Sequence, residues 1–76
     1  MNNTKPEQGK EVKTGVVINA LPNTTFKVLL DNNEGEVFTH LSGKMRLHHI
    51  KVLVGDRVKL EIDNYDRSKG RIVQRF

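Results

Sequence analysis

Residues 42–51 read SGKMRLHHIK, and this stretch is the one in which the alternation seen elsewhere in the chain breaks. Five of its ten side chains are cationic or can become so (Lys44, Arg46, His48, His49 and Lys51), and none is acidic. Ser42 has the hydroxyl that caps helix N-termini. On a helical wheel Leu47 and Ile50 share one side, while Lys44, Met45, His48 and His49 fall on the other. The expectation is a short helix whose Leu47 and Ile50 face the protein and whose cations, with Met45, face outward. A helix of under ten residues is marginal alone, so docking onto the rest of the fold must hold it.

The flanking segments read as strands. EVFTHL (36–41) precedes it, with Val37, Thr39 and Leu41 on one face and Phe38 and His40 on the other. RVKLEID (57–63) follows a VGD turn, and its Val58, Leu60 and Ile62 alternate with charged residues. Further out, VKTGVVINAL (12–21) is rich in β-branched residues and stops at Pro22-Asn23, which suits a turn. In TFKVLLD, Phe26, Val28 and Leu30 alternate with Thr25, Lys27 and Leu29, and DNNEGE (31–36) supplies a hairpin turn. After the loop NYDRSKG, RIVQRF forms a fifth strand. The expected core is Val16, Ile18, Phe26, Val28, Val37, Leu60, Ile62 and Ile72. Five short strands with a helical link between strands three and four describe an all-β, five-stranded OB-fold barrel, a fold that commonly binds nucleic acid on strands two and three and the flanking loops.

The expected domain spans residues 12–76, and the polar segment 1–11, with Pro6 and Gly9 and no apolar period, reads as a flexible tail. At 76 residues the chain holds at most one small core and no large active-site cleft. It has no cysteine, which excludes disulfides and thiolate metal sites. No apolar run approaches the roughly 20 residues of a membrane span, and no signal-peptide pattern is present. A cytoplasmic protein without membrane contact is expected.

Thirteen Lys and Arg against nine Asp and Glu give a net charge of +4, which favours a polyanionic partner. The charge is gathered in two blocks without acids, Lys44, Arg46 and Lys51 in one and Arg67, Lys69, Arg71 and Arg75 in the other. Guanidinium groups such as Arg46 and Arg71 can engage phosphate oxygens in pairs and stack on a splayed base. His49 is a candidate for stacking on RNA or hydrogen bonding to it, Met45 for resting against a base, and Phe38 for an outward platform. His40, His48 and His49 do not form a metal set, because adjacent helical positions point apart and no further ligand completes the shell. Neither a Ser-His-acid set nor paired carboxylates point to an enzyme, and no phosphate-cradling glycine loop or other cofactor motif occurs.

Three segments together, TGVVINALPNTTFKVLLDN (14–32), HLSGKMRLHHIKVLVGDRVKLEI (40–62) and YDRSKGRIVQR (65–75), resemble bacterial translation initiation factor 1. The resemblance implies a non-enzymatic factor, monomeric when free. Such a factor binds small-subunit rRNA at the aminoacyl-tRNA site of the small ribosomal subunit and works with initiation factors two and three. It implies rRNA contacts by Lys44, Met45, Arg46, His49, Lys51, Lys69 and Arg71. The chain departs from the family pattern at Asn19, Leu29, Lys51, Asn64 and Gln74, and its DNNEGE hairpin is one residue longer. The reading from residues alone leaves a second possibility, a general RNA chaperone or cold-shock-like single-strand binder.

Overall fold

The computed structural model describes residues 11–76. Five strands, β1 (Glu11–Leu21), β2 (Thr25–Leu30), β3 (Glu36–Leu41), β4 (Arg57–Ile62) and β5 (Lys69–Arg75), close into a barrel in the order β1-β2-β3-β5-β4. All neighbours are antiparallel except β3 and β5, which run parallel and seal the barrel. One short helix, α1 (Gly43–Leu47), links β3 to β4 as expected. The expected tail lies outside the described residues except for Glu11, which pairs with Ile62 at the head of β1.

Alternation in β2, β3 and β4 translates directly into burial. Phe26, Val28 and Leu30, then Val37 and Leu41, then Val58, Leu60 and Ile62 all point inward, with Ile72 from β5. Thr39 is buried among them, and its hydroxyl donates to the Phe26 carbonyl at 2.9 Å, so this hydroxyl is not left unpaired. Leu29, on the polar face of β2, is 44% exposed. Burying a side chain such as Leu60 contributes about 1.5–3 kcal/mol.

β1 corrects the sequence reading. The inward residue is Val17, while Val16 is only half-buried and Ile18 is exposed. The reason is Gly15, which pairs with Leu30 and takes an inward position next to β2. A Cβ there would stand 2.5 Å from the Leu29 carbonyl oxygen and 2.8 Å from Val28 Cγ1. With a residue lacking a side chain on the inward face, the apolar run looks in phase the wrong way. A bulge between Val17 and Asn19 then shifts the register for the rest of the strand.

α1 corrects it again. Ser42 caps the helix, its Oγ accepting the Met45 amide at 3.2 Å, and its own amide donates to the Ile72 carbonyl of β5 at 2.9 Å. The helix then stops after little more than a turn. His49 adopts a left-handed φ of 55°, its amide donates to the Arg46 carbonyl, and the Ile50 amide donates to the Met45 carbonyl. This is a Schellman closure, with Ile50 packed back against the core that contains Met45. A ten-residue wheel therefore does not apply. Met45 is in the core at 1% exposure, not on the outward side, and Leu47, expected as an anchor, is 73% exposed. Ile50 is an anchor as expected, by a different geometry.

Candidate nucleic-acid interface

Because Met45 and Ile50 fasten the link, the remaining side chains of 44–51 are left on the surface. Lys44, Arg46, His48, His49 and Lys51 are all exposed. Among the described residues, no carboxylate forms an ion pair with Lys44, Arg46 or Lys51. Arg75, at the end of β5, joins this surface by donating from Nη1 to the Lys51 carbonyl at 2.7 Å. The result is a stretch of exposed positive charge on and after α1 that has no carboxylate partner among the described residues.

The second cationic block behaves differently. Arg71 donates to Glu61 at 2.6 Å, Arg67 pairs with Glu11, and Lys69 lies 4.0 Å from Asp66. The Arg67 guanidinium hydrogen-bonds Glu11 and holds its carboxyl below the usual glutamate value. Ser68 does the same for Asp66 by donating from its hydroxyl and its amide. Acids that are distant in sequence, or just outside the block, thus neutralise much of the charge that the linear stretch seemed to carry.

On the outer face of the sheet His40 stands opposite Arg71, and Phe38 opposite Lys69. Phe38 is 47% exposed, with Lys27 Nζ 5.5 Å from its ring centroid. Lys27 is itself 3.5 Å from Glu36. A cleft of about 310 Å³ between β3, β5 and the end of β4 has His40, Glu61, Asp63, Tyr65 and Arg71 in its wall. Arg71 Nε is buried and has no hydrogen-bond partner. His40 sits on β3, apart in the fold from the two histidines that close α1, and among the described residues no group of three His, Asp or Glu is arranged to hold a metal ion.

Of the seven candidate residues, the structure leaves Lys44, Arg46, His49 and Lys51 exposed on or just after α1. It sets Lys69 and Arg71 on the sheet face in ion pairs, and it buries Met45. Sequence reasoning did not single out His48 or Arg75 as site residues. Arg75 counted only as one cation of the second block, because nothing local shows that β5 ends beside Lys51.

The profile of the family described as translation initiation factor 1A / IF-1 matches residues 2–76. The solution structure of a translation initiation factor 1 from the Wolbachia endosymbiont strain TRS of Brugia malayi is similar to this chain. It shares 39% identity at a TM-score of 0.75, over 95% of this chain and 84% of that one. YjeQ from Thermotoga maritima is similar at 26% identity and a TM-score of 0.72, over 87% of this chain but 23% of its own. YloQ, a circularly permuted GTPase, matches at 21% identity and a TM-score of 0.72, over 25% of its own length, which shows a shared fold alone.

Proposed function

The chain belongs to the translation initiation factor 1A / IF-1 family, and from that premise we propose that it binds the small ribosomal subunit at the aminoacyl-tRNA (decoding) site. Binding runs through rRNA, and the factor assists initiation complex formation together with initiation factors two and three. It works in the cytoplasm as a free monomer that docks. The observation that carries this reading is the α1 surface, where Lys44, Arg46 and Lys51 stand without a carboxylate partner among the described residues. A cation already paired must give up its partner to bind phosphate; these need not. His49 lies on the same surface. Lys69 and Arg71 are a secondary contact, because each must exchange Asp66 or Glu61 for phosphate.

The exposed Phe38, flanked by Lys27 and Lys69, favours a second reading, a general single-strand RNA binder of the chaperone type. The two are separated by competition. Purified small subunits are offered against bulk single-stranded RNA at equal phosphate concentration, with and without initiation factors two and three. Preference for subunits, blocked by a decoding-site ligand and strengthened by the other factors, supports the decoding-site role. Equal affinity for both polymers sinks it.

A further inference from the structure

Val52, Leu53 and Val54 are three successive apolar residues with different fates. Val52 is in the core, whereas Leu53 and Val54 are 57% and 58% exposed. They stand in a turn that hydrogen bonds hold from within and from β1. The Leu53 amide donates to Asp56 Oδ2 at 2.8 Å and the Asp56 amide to the Leu53 carbonyl at 3.0 Å, with Gly55 at the left-handed φ of 100° that such a turn favours. The Gly55 amide donates to the Val17 carbonyl at 2.8 Å, and the Val17 amide to the Asp56 carbonyl at 3.0 Å, which fastens the turn to β1. Ile18, the next residue of β1, is exposed as well. Just after the turn, the Arg57 carbonyl accepts the Phe76 amide at 2.9 Å, and the Phe76 side chain is exposed.

We propose that the turn 53–56, with Ile18 and Phe76 beside it, is a docking surface for a protein partner whose contacting segment mixes apolar side chains with carboxylates. The apolar half of that chemistry follows from Leu53 and Val54. Turns ordinarily carry polar residues or glycine, and these two side chains add nothing to the core. Aliphatic groups offer a nucleic acid neither a stacking face nor a hydrogen-bond donor, whereas a protein side chain laid on them removes apolar surface from water. The inference stands apart from the decoding-site reading, because it uses residues that reading leaves idle.

The acidic half follows from the neighbouring charges. Lys51 comes two residues before Leu53, and Arg75 comes just before Phe76; the bond from Arg75 Nη1 to the Lys51 carbonyl at 2.7 Å joins the two segments. That bond leaves four of the five guanidinium N–H donors for a partner. Among the described residues no carboxylate pairs with either cation, and Asp56, the acid of the turn, already accepts the Leu53 amide. A second copy of this chain would set these cations against their own kind, which disfavours self-association. The four bonds of the turn fix its backbone before a partner arrives, so docking orders little of this chain. A surface of a few side chains suits a transient contact.

The test offers the full chain, immobilised, to a displayed library of random short peptides, and then titrates the most enriched peptide, made synthetically, into the chain by NMR. Enriched sequences should combine Leu, Ile, Phe or Trp with Asp and Glu, and the peptide should shift the amide resonances of residues 53–56. Leu53→Ser and Val54→Ser should each weaken it about tenfold while leaving the melting temperature unchanged. Lys51→Glu should weaken it too, and Leu29→Ser, at an exposed apolar residue of β2, should not. Failure to enrich any peptide, enrichment of peptides without acids, or shifts confined to other residues overturns the proposal. So does a melting temperature lowered by Leu53→Ser and Val54→Ser alike, which would mean that the turn serves the fold. A short oligouridylate that shifts residues 53–56 more than the peptide does would assign the surface to RNA and overturn it as well. Small subunits take no part in these measurements, so a failure of the decoding-site reading leaves their outcome untouched.

Discussion

Arg57 donates from both terminal nitrogens to Asp31, at 3.2 and 2.9 Å, and so ties the first turn after β2 to the start of β4. Thr14 of β1 donates to the same carboxylate at 2.5 Å. The Arg57 hydrogen bonds, and then that of Thr14, hold the Asp31 carboxyl below its ordinary value. A depressed folded-state value means stability that is present above the unfolded aspartate range, near pH 4, and lost as pH falls through the folded value. Asp31→Asn should therefore lower the melting temperature at pH 7, with the gap to wild type closing in acid. Melts from pH 7 to pH 2 check this, and a gap that is constant with pH would count against it.

Met45 and Leu47 exchange the roles that a helical wheel assigns them. Met45→Ala should cost about 2–5 kcal/mol, and Met45→Leu, which nearly conserves volume, less than about 1.5. Leu47→Ala should stay within about 0.5 kcal/mol of wild type. Denaturant unfolding of the three variants decides the matter. A large effect at Leu47 would be incompatible with the closure described for α1.

His49 holds a left-handed backbone that costs a residue with a side chain roughly 1 kcal/mol, a cost from which glycine is exempt. His49→Gly should raise the melting temperature while weakening subunit binding, if the ring contacts rRNA. An unchanged affinity in the more stable variant would remove His49 from the interface.

Among the described residues no carboxylate pairs with Lys44 or Arg46, so replacing both with Ala should leave the melt unchanged. Subunit binding should weaken by about 2–4 kcal/mol if each makes a charge-assisted hydrogen bond. With Lys44, Arg46, Lys51 and Arg75 engaged, the log-log dependence of affinity on salt should have a slope of about −3. The double variant should reduce that slope by more than one. A lowered melting temperature with full affinity would mean that these charges serve the fold.

What could be read from the sequence depended on how local its determinants are. β4 was legible because Val58, Leu60 and Ile62 stand two apart with charged neighbours and no glycine disturbs the period; the register shift between Lys59 and Leu60 leaves its extra residue, Val73, on β5. β1 was misread because its phase depends on Gly15, whose inward position is set by the approach of β2. The helical link was legible in place and in its cap, but not in its end. A Schellman closure is usually signalled by glycine, and here the left-handed residue is a histidine. At the interface, the α1 cations were legible as a block. The neutralisation of Arg71 by Glu61 and of Arg67 by Glu11 was not, since it exists only once β5, the loop before it and their neighbours are brought together.

The parallel pairing of β3 with β5 also governs how the barrel can be assembled. β5 lies between β3 and β4, so until it inserts, the partly built sheet has two unpaired edges facing one another across a gap. Each edge is a template for another chain's strand. At Gly70 the inserting strand comes so close to β4 that a Cβ would stand 2.7 Å from the Glu61 carbonyl oxygen. A substitution there would prolong the life of the open sheet, and its first symptom would be aggregation during refolding, before any loss of RNA affinity in the molecules that do close.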